Sequence, residues 1–482
     1  MVIIGAGFAG IGLGALLRRA GIGSFTILEK SADLGGTWRD NTYPGAACDV
    51  PSHLYCYSFA PKADWSRRHA PGPEILAYLR DVAVAEGVAP HIRYGCEVAA
   101  AEWSEEQTEW TVTLSDGRTI PADVVVSAVG QLHRPAVPEL PGADSFVGPA
   151  FHSARWPADL SLTGRRVGVV GSAASAVQIV PAIATESESV TVFQRSPNWI
   201  LRRGDRPYRG WEKRAFATVP LVRRAHRAWI WASFEVRFPA LRDRPLFVAA
   251  ARRLLDRHLV EEVPIDDRAR LTPDFPVGAR RVLSADDYYP ALRRDDVHLE
   301  TAGIARVLPD GVELIDGRFV PLDVLVYATG FRSTEFLVPM TVKSRGRELS
   351  EEWREGARAY LGLSVPGFPN FFVMYGPNTN LGHNSIVFML EAQARHIVRV
   401  LADMAHGDEV EVSRDAFDRQ DRALRRDLAR TVWGQVERSW YKTDAGRITN
   451  NWGAGTPRYW WLTRRGARSA YRQRRRMTEP IT

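Results

Sequence analysis

One segment near the start constrains the fold more than any other: Val2-Ile3-Ile4, then Gly5-Ala6-Gly7-Phe8-Ala9-Gly10, a small-residue run to about Arg19, and Phe25-Thr26-Ile27-Leu28. Strand-forming residues lead into a GxGxxG turn, and a helix and a second strand follow. Gly5 permits the tight turn, Gly7 lets the backbone approach a pyrophosphate, and Gly10 lets helix and strand pack closely. The phosphates of a dinucleotide would sit at the helix N-terminus. Glu29 ends the next strand, about 20 residues on, where a carboxylate accepts hydrogen bonds from ribose hydroxyls. An acid there selects an adenosine without a 2′-phosphate, as in FAD or NAD.

The same logic returns roughly 165 residues later. Val167-Gly168-Val169-Val170 reads as a buried strand, Gly171-Ser172-Ala173-Ala174-Ser175-Ala176 as the turn, and Val190 to Phe193 as the following strand. Alanine replaces the second and third glycines, so Gly171, Ser172 and Ser175 form a weaker phosphate turn. Arg195 and Ser196 stand where the first unit has Glu29. A guanidinium cannot accept from a ribose hydroxyl but binds a 2′-phosphate well, so the matching positions differ in sign as FAD and NADPH require. The alternative is an Arg195 paired on the surface.

This duplication predicts an α/β protein of two Rossmann-like dinucleotide-binding domains with a helical insertion. The expected division is an FAD-binding domain over 1–140 and 329–482, an NADP-binding domain over 150–204 and 279–328, and the insertion over 205–278. Pro135, Pro138 and Pro141 mark a linker. Short strands near Val98, Trp110–Leu114 and Val124–Val129 suggest a β-meander returning to the first sheet. The insertion is Arg- and Trp-rich, with Trp229-Ile230-Trp231 and Phe238 at its centre. A membrane-surface helix is one reading, and aromatics packed on the insertion's own domain is the favoured one.

Composition narrows the classes. The 482 residues are 45% apolar and 25% charged, with a formal net charge of +7, which is a globular balance. Seven arginines fall between Arg464 and Arg476; they read as a solvated tail rather than a nucleic-acid surface. Cys48, Cys56 and Cys96 offer neither a disulfide framework nor metal-ligand spacing, so no metal is expected and a cytoplasmic setting is the default. Val2–Leu17 is uncharged but broken by glycines, and it falls short of the ~20 apolar residues of a span, so no stable membrane insertion is expected. Nothing in the sequence fixes a subunit count.

Between the two units, Phe146-Val147-Gly148-Pro149-Ala150-Phe151-His152-Ser153-Ala154-Arg155-Trp156-Pro157 resembles the FxGxxxHxxxW(P/D) fingerprint of type I Baeyer–Villiger monooxygenases. Gly36, Trp38, Tyr43, Pro44, Gly45 and Asp49 match a second fingerprint of that family, (A/G)GxWxxxx(F/Y)P(G/M)xxxD. Arg280-Arg281 with Tyr288-Tyr289, Ala328-Thr329-Gly330 and Gly376-Pro377-Asn378-Thr379 resemble further family segments. By this likeness Arg280 joins Arg195 and Ser196 around the 2′-phosphate. Tyr55 and the Gly35–Trp38 loop contact FAD, and Trp452 is a cofactor or substrate contact. Arg281 stands beside the flavin, with Asp49 as its partner.

The resemblance implies an FAD-, NADPH- and O₂-dependent enzyme that inserts oxygen next to a ketone carbonyl through a C4a-peroxyflavin. Arg281 would stabilise oxygen-centred anions without donating a proton, and Asp49 would neutralise and orient it. An ordinary structural ion pair is the bland alternative for the two. Phe146, Gly148, His152 and Trp156 are read as positioning residues on a connector between domains; a hydrogen-bonded structural histidine is the equal alternative at position 152. The substrate pocket is expected at the domain junction and around Leu381-Gly382-His383-Asn384-Ser385. Three other functions fit parts of the pattern. Oxidation of nitrogen or sulfur runs against Trp156 and Arg281, disulfide reduction lacks a cysteine pair, and a nucleotide-sensing module leaves the fingerprints unexplained.

Overall fold

The Val2–Ile4 strand lies at the centre of a five-stranded sheet in the computed structural model, which describes residues 1–402, 404–436 and 440–474. The order is Phe371–Val373, Val125–Ser127, Val2–Ile4, Thr26–Leu28, Ile92–Arg93, with every neighbour parallel. Parallel sheets need both faces covered, and Ile3, Ile27 and Val126 are accordingly sealed from solvent. Helix Phe8–Arg19 covers one face, and helix Ile386–Leu401 packs against it in turn. Chain far beyond residue 329 thus completes the first sheet.

A second parallel sheet has the order Val297–Glu300, Ser189–Phe193, Arg166–Val170, Val324–Tyr327, Ala150–His152. The two sheets repeat each other more deeply than their turns alone suggest. Leu114-Ser-Asp-Gly-Arg-Thr-Ile-Pro-Ala-Asp-Val-Val-Val-Ser-Ala-Val-Gly130 is echoed by Leu314-Ile-Asp-Gly-Arg-Phe-Val-Pro-Leu-Asp-Val-Leu-Val-Tyr-Ala-Thr-Gly330. Each run closes an antiparallel meander and then enters its parallel sheet. Gly5 (φ +105°) and Gly171 (φ +111°) lie over equivalent carbonyls, where an added Cβ would stand 2.8 Å from Ala128 O and 2.6 Å from Ala328 O. Only glycine fits either turn.

The Phe146–Pro157 fingerprint is not a free connector. Ala150–His152 is the edge strand of the second sheet, in register with Leu325–Tyr327. The crossing is made instead by two segments running antiparallel: Ala136 N donates to Gly330 O and Arg332 N to Arg134 O, each at 2.9 Å.

The insertion is helical, chiefly Gly210–Thr218, Pro220–Glu235 and Pro245–Glu262. Its packing corrects the favoured sequence reading. Ile230 is buried in the core of the first unit, with Trp231, Phe234 and Phe238 packed against that core. Leu259 and Val263 join the core of the second unit. One helix therefore rests on each unit, because the inward residues of Pro220–Glu235 recur at helical spacing. Among the described residues no helix is long and apolar enough to cross a membrane.

Ile230 is 2% exposed and its neighbour Trp229 is 60% exposed. Ile230→Ala should cost about 2–5 kcal/mol and lower the thermal midpoint, whereas Trp229→Ala should leave it unchanged. Equal effects in calorimetry would mean that the helix is not docked by this face.

Candidate active site between the two sheets

The first phosphate turn keeps an open floor. A Cβ on Gly7 would meet only Gly36 Cα, at 3.8 Å, while Gly10 is pressed onto Gly5 O. Bare backbone with room above it is what a pyrophosphate needs. Glu29 is buried and already engaged: Oε2 accepts from Ala6 N at 2.9 Å, and Oε1 from Ser31 N at 3.0 Å and Arg39 Nη1 at 2.9 Å. A carboxylate offers about four acceptor sites, so Oε2 retains capacity for a ribose hydroxyl. Arg39, which holds this carboxylate in place, was not singled out in the sequence. Trp38 Nε1 donates to Tyr55 Oη at 3.2 Å, their rings edge-on at 5.6 Å, and burial pushes the Tyr55 hydroxyl well above the usual phenol range.

Loops from the two units meet at Asp49 and Arg281. Arg281 Nη2 donates to Asp49 Oδ2 at 2.5 Å. The side chains are 31% and 35% exposed, so the pair lines a wetted cleft and adds little stability; its value is orientation. The Asp49 carboxylate holds the guanidinium still more firmly charged than usual. Behind Arg281, Trp433 Nε1 donates to Gly278 O at 2.9 Å and fixes the approach of its loop.

A buried phenol, Tyr441, and a half-buried one, Tyr375, face the same cation. Burial pushes Tyr375 and Tyr441 up to about 12, against the opposing pull of Arg281. Both stay protonated near neutral pH. Tyr375 Oη donates to Asn380 Oδ1 at 2.9 Å, and Asn380 Nδ2 donates to Asn451 Oδ1 at 2.9 Å. Sequence reasoning missed this Tyr–Asn network. Its only signal was position, since Tyr375 precedes and Asn380 closely follows the Gly376–Thr379 segment.

The two units touch directly across the cleft. Tyr43 Oη donates to Gln178 Oε1 at 3.0 Å, and Gln178 Nε2 donates to Ala47 O at 2.9 Å. At Gly45 (φ +82°) an added Cβ would stand 2.4 Å from Gln178 O, so the second fingerprint's glycine permits a backbone-close contact with helix Ala176–Ile183.

In the second turn Ser172 Oγ donates to Ser196 O at 3.1 Å, and Ser175 sits at the N-cap of that helix. Arg280 Nη1 donates to Ser196 Oγ at 2.7 Å with its guanidinium 4.3 Å from the Phe275 ring centre. Burial, then the neighbouring charge of Arg195, pulls the Arg280 guanidinium below its ordinary value. Two like charges held together favour a dianion between them.

The remaining predicted residues lie elsewhere. His152 is 3% exposed, with Nε2 2.9 Å from Gly330 O and Nδ1 accepting from Ala154 N at 3.1 Å. Burial lowers its pKa, so it is neutral and donates from Nε2. It clips the sheet edge to the crossing segment, as a structural histidine would. Trp156 packs edge-on against Phe151 at 5.1 Å, Phe146 sits on the core beneath the second sheet, and Gly148 lies against Asp323 O. The Trp452 indole is 3% exposed, edge-on to Tyr459, and donates to Gly455 O at 3.3 Å, while its backbone N–H donates to Asn380 O at 2.9 Å.

A family model for pyridine nucleotide-disulphide oxidoreductases matches residues 2–210. A Baeyer–Villiger monooxygenase of Streptomyces coelicolor is 39% identical over 96% of this chain and 91% of its own length. This chain belongs to the Baeyer–Villiger monooxygenase family. Oxidized steroid monooxygenase bound to NADP is similar in structure, with TM-score 0.87, 29% identity and 98% of both chains covered. OTEMO in complex with FAD and NADP gives TM-score 0.87 and 29% identity over 98% of this chain and 99% of that one. Disulfide chemistry finds no support in this Baeyer–Villiger monooxygenase, whose Cys48, Cys56 and Cys96 are buried and free.

His152→Ala should cost about 1 kcal/mol, because Gly330 O keeps the Ala136 N–H but loses its second donor and Ala154 N loses its acceptor. His152→Gln, which keeps an N–H, should recover part of this. The unfolded chain takes up the imidazole proton near pH 6.5 while the folded one resists it. Stability from this site is therefore full above pH 6.5 and declines as pH falls below it. Denaturant midpoints from pH 5 to 8 measure both effects; an Ala variant as steep toward acid as the parent would contradict this account.

Proposed function

We propose that the chain uses FAD, NADPH and O₂ to insert one oxygen atom beside a ketone carbonyl, giving an ester or lactone and water. The observation that carries the reading is the Arg281 guanidinium, held by Asp49 at 2.5 Å in the cleft where loops of both units meet. Family membership supplies the reaction class, and the neighbour that holds FAD and NADP supplies the cofactor pair. The donor sets suit that pair, with the Glu29 carboxylate at one strand end and Arg195 with Arg280 at the other.

Bound flavin, reduced by NADPH, supplies the activated oxygen from O₂. The chain's residues supply the rest. Gly5, Gly7 and Gly10 offer their backbone to the FAD pyrophosphate, and Glu29 takes a ribose hydroxyl. Gly36, Trp38, Tyr55 and Asp49 border the flavin side of the cleft. Gly171, Ser172 and Ser175 hold the NADP pyrophosphate, while Arg195, Ser196 and Arg280 hold the 2′-phosphate.

Arg281 stabilises negative charge on oxygen as the ketone carbon becomes tetrahedral. A guanidinium suits this task because it stays charged and keeps its protons. Asp49 fixes its direction and balances its charge. The Tyr375–Asn380–Asn451 chain sets the loop that leads to Leu381–Ser385, the proposed ketone wall. Phe146, Gly148, His152 and Trp156 act at a distance by fixing the second sheet edge to the crossing segments. Residues 1–140 with 329–482 form the FAD domain, and 150–204 with 279–328 the NADP domain; the strand Phe371–Val373 in the first sheet supports that division. Three buried thiols without partner cysteines support a cytoplasmic setting.

Purified protein supplied with FAD should oxidise NADPH faster when ketones are added, and ester products identify the reaction. Arg281→Ala should lower ester formation by roughly 100-fold or more while NADPH still bleaches the flavin. Ester formation at the parental rate in that variant would sink the assignment. Arg280→Ala should raise the KM for NADPH by about 10- to 100-fold and leave that for NADH unchanged; equal losses with both coenzymes would remove Arg280 from the 2′-phosphate site.

A further inference from the structure

The helix Pro220–Glu235 has two unlike faces. Ile230 points into the first unit and is 2% exposed. On the opposite side lie Leu221, Ala225, Trp229, Ala232 and Val236, recurring at three- and four-residue intervals. Leu221 is 73% exposed, Trp229 60% and Val236 62%, and nearby Trp211 is 65% exposed. A helix made only to brace its own protein would be polar on that side.

The charge around this stripe has one sign. Residues 209–244 hold nine Arg or Lys and three acids. Two of the acids are turned inward. Glu212 is paired with Arg206 at 2.7 Å, and Glu235 accepts from Thr456 N at 2.9 Å and from Asn384 Nδ2 at 2.9 Å. Arg209, Arg214 and Arg224 remain exposed. Two copies of such a face would repel each other, which disfavours self-association. Nucleic acid would satisfy the arginines and waste the aliphatic stripe. An interface of anionic headgroups over hydrocarbon satisfies both.

We propose that the outer face of Pro220–Glu235 docks this enzyme peripherally on an anionic lipid surface, with Leu221, Trp229 and Val236 entering the headgroup boundary and Arg214 and Arg224 meeting lipid phosphates. The docking is reversible and spans nothing. It is independent of the ketone reading, because it uses no residue assigned to the cleft.

The test is co-sedimentation of the full-length holoprotein with phosphatidylcholine vesicles, with and without ~30% phosphatidylserine. Each arginine near such a surface adds roughly fivefold, so the anionic vesicles should bind at least about tenfold more protein than neutral ones. Raising salt from about 0.1 to about 1 M should remove most of that difference. Leu221→Glu with Trp229→Glu should abolish binding to vesicles while NADPH oxidation with a water-soluble ketone, and the thermal midpoint, stay as in the parent. Arg214→Glu with Arg224→Glu should abolish only the preference for anionic vesicles. Equal binding to neutral and anionic vesicles would overturn the proposal, as would no binding at low salt or undiminished binding by the Leu221→Glu, Trp229→Glu protein. So would a dimer in light scattering that this same double variant loses. Because activity is read without vesicles, a protein that binds lipid but oxidises no ketone would refute the catalytic reading alone.

Discussion

The Asp49–Arg281 pair joins residues 232 positions apart in sequence, carried on loops of two different sheets. A guanidinium presented this way reaches Asp49 only when both sheets are correctly placed. Because the pair is partly wetted, it cannot by itself hold the units together. Stronger constraints must do so, and the structure concentrates them around the cleft. Gln178 bridges Tyr43 and Ala47, Gly45 touches the Gln178 backbone, and Trp433 anchors Gly278 just before the two arginines. The pair is the readout of these contacts.

The insertion adds a strut. Ile230 and Trp231 rest on the first unit while Leu259 rests on the second. Glu235 ties its first long helix to the rest. A carboxylate at a helix C-terminus is poorly placed with respect to that helix's dipole. Here it also accepts from the N–H and hydroxyl of Thr456, at the start of the helix Thr456–Ser469, and from Asn384. The charge lost to one helix end is used at another. The same side chain thereby steadies the Leu381–Ser385 loop, next to Asn380 and the phenol network behind Arg281. The proposed ketone wall is held from outside by the insertion and from inside by Tyr375.

Local patterns were legible in the sequence where one residue type has one physical use. Gly5 and Gly171 need their φ values and their closeness to a carbonyl, and Glu29 and Arg195 sit at strand ends that a glycine turn locates. Partnership across the chain was less legible. Asp49 with Arg281 came through family resemblance, since nothing within either loop names the other. Tyr375, Asn380 and Asn451 were invisible because tyrosine and asparagine in loops are common, and only folding brings them together. The fingerprint was misplaced on a connector because three strand residues, Ala150 to His152, carry too little periodicity to announce a strand. The insertion's docking was misjudged since helical spacing shows that a face is apolar without naming its partner. Arg475 and Arg476 of the basic tail lie outside the described residues.

The duplicated architecture shows how one chain would present opposite charges to two dinucleotides on the proposed assignment. The turns themselves cannot discriminate. Gly5 and Gly171 have nearly the same φ and similar closeness to an equivalent alanine carbonyl, and the runs ending at Gly130 and Gly330 share Asp-Gly-Arg, the proline and the Asp-Val that follow at the same spacing. Discrimination must come from the next strand end, where Glu29 is buried among donors and Arg195 is exposed. A single exposed arginine would be a weak anion site. Arg280, brought from beyond the insertion and fixed by Ser196 and Phe275, sets a second guanidinium beside it, as the proposed 2′-phosphate site requires. Since Arg281 is the next residue, the loop that would complete the proposed 2′-phosphate site also carries the guanidinium that Asp49 holds. A dianion bound there would relieve the repulsion between Arg195 and Arg280 and so would steady the peptide on which Arg281 is carried. On the roles proposed for Arg280 and Arg281, coenzyme selection and oxygen-anion stabilisation would be coupled through one dipeptide.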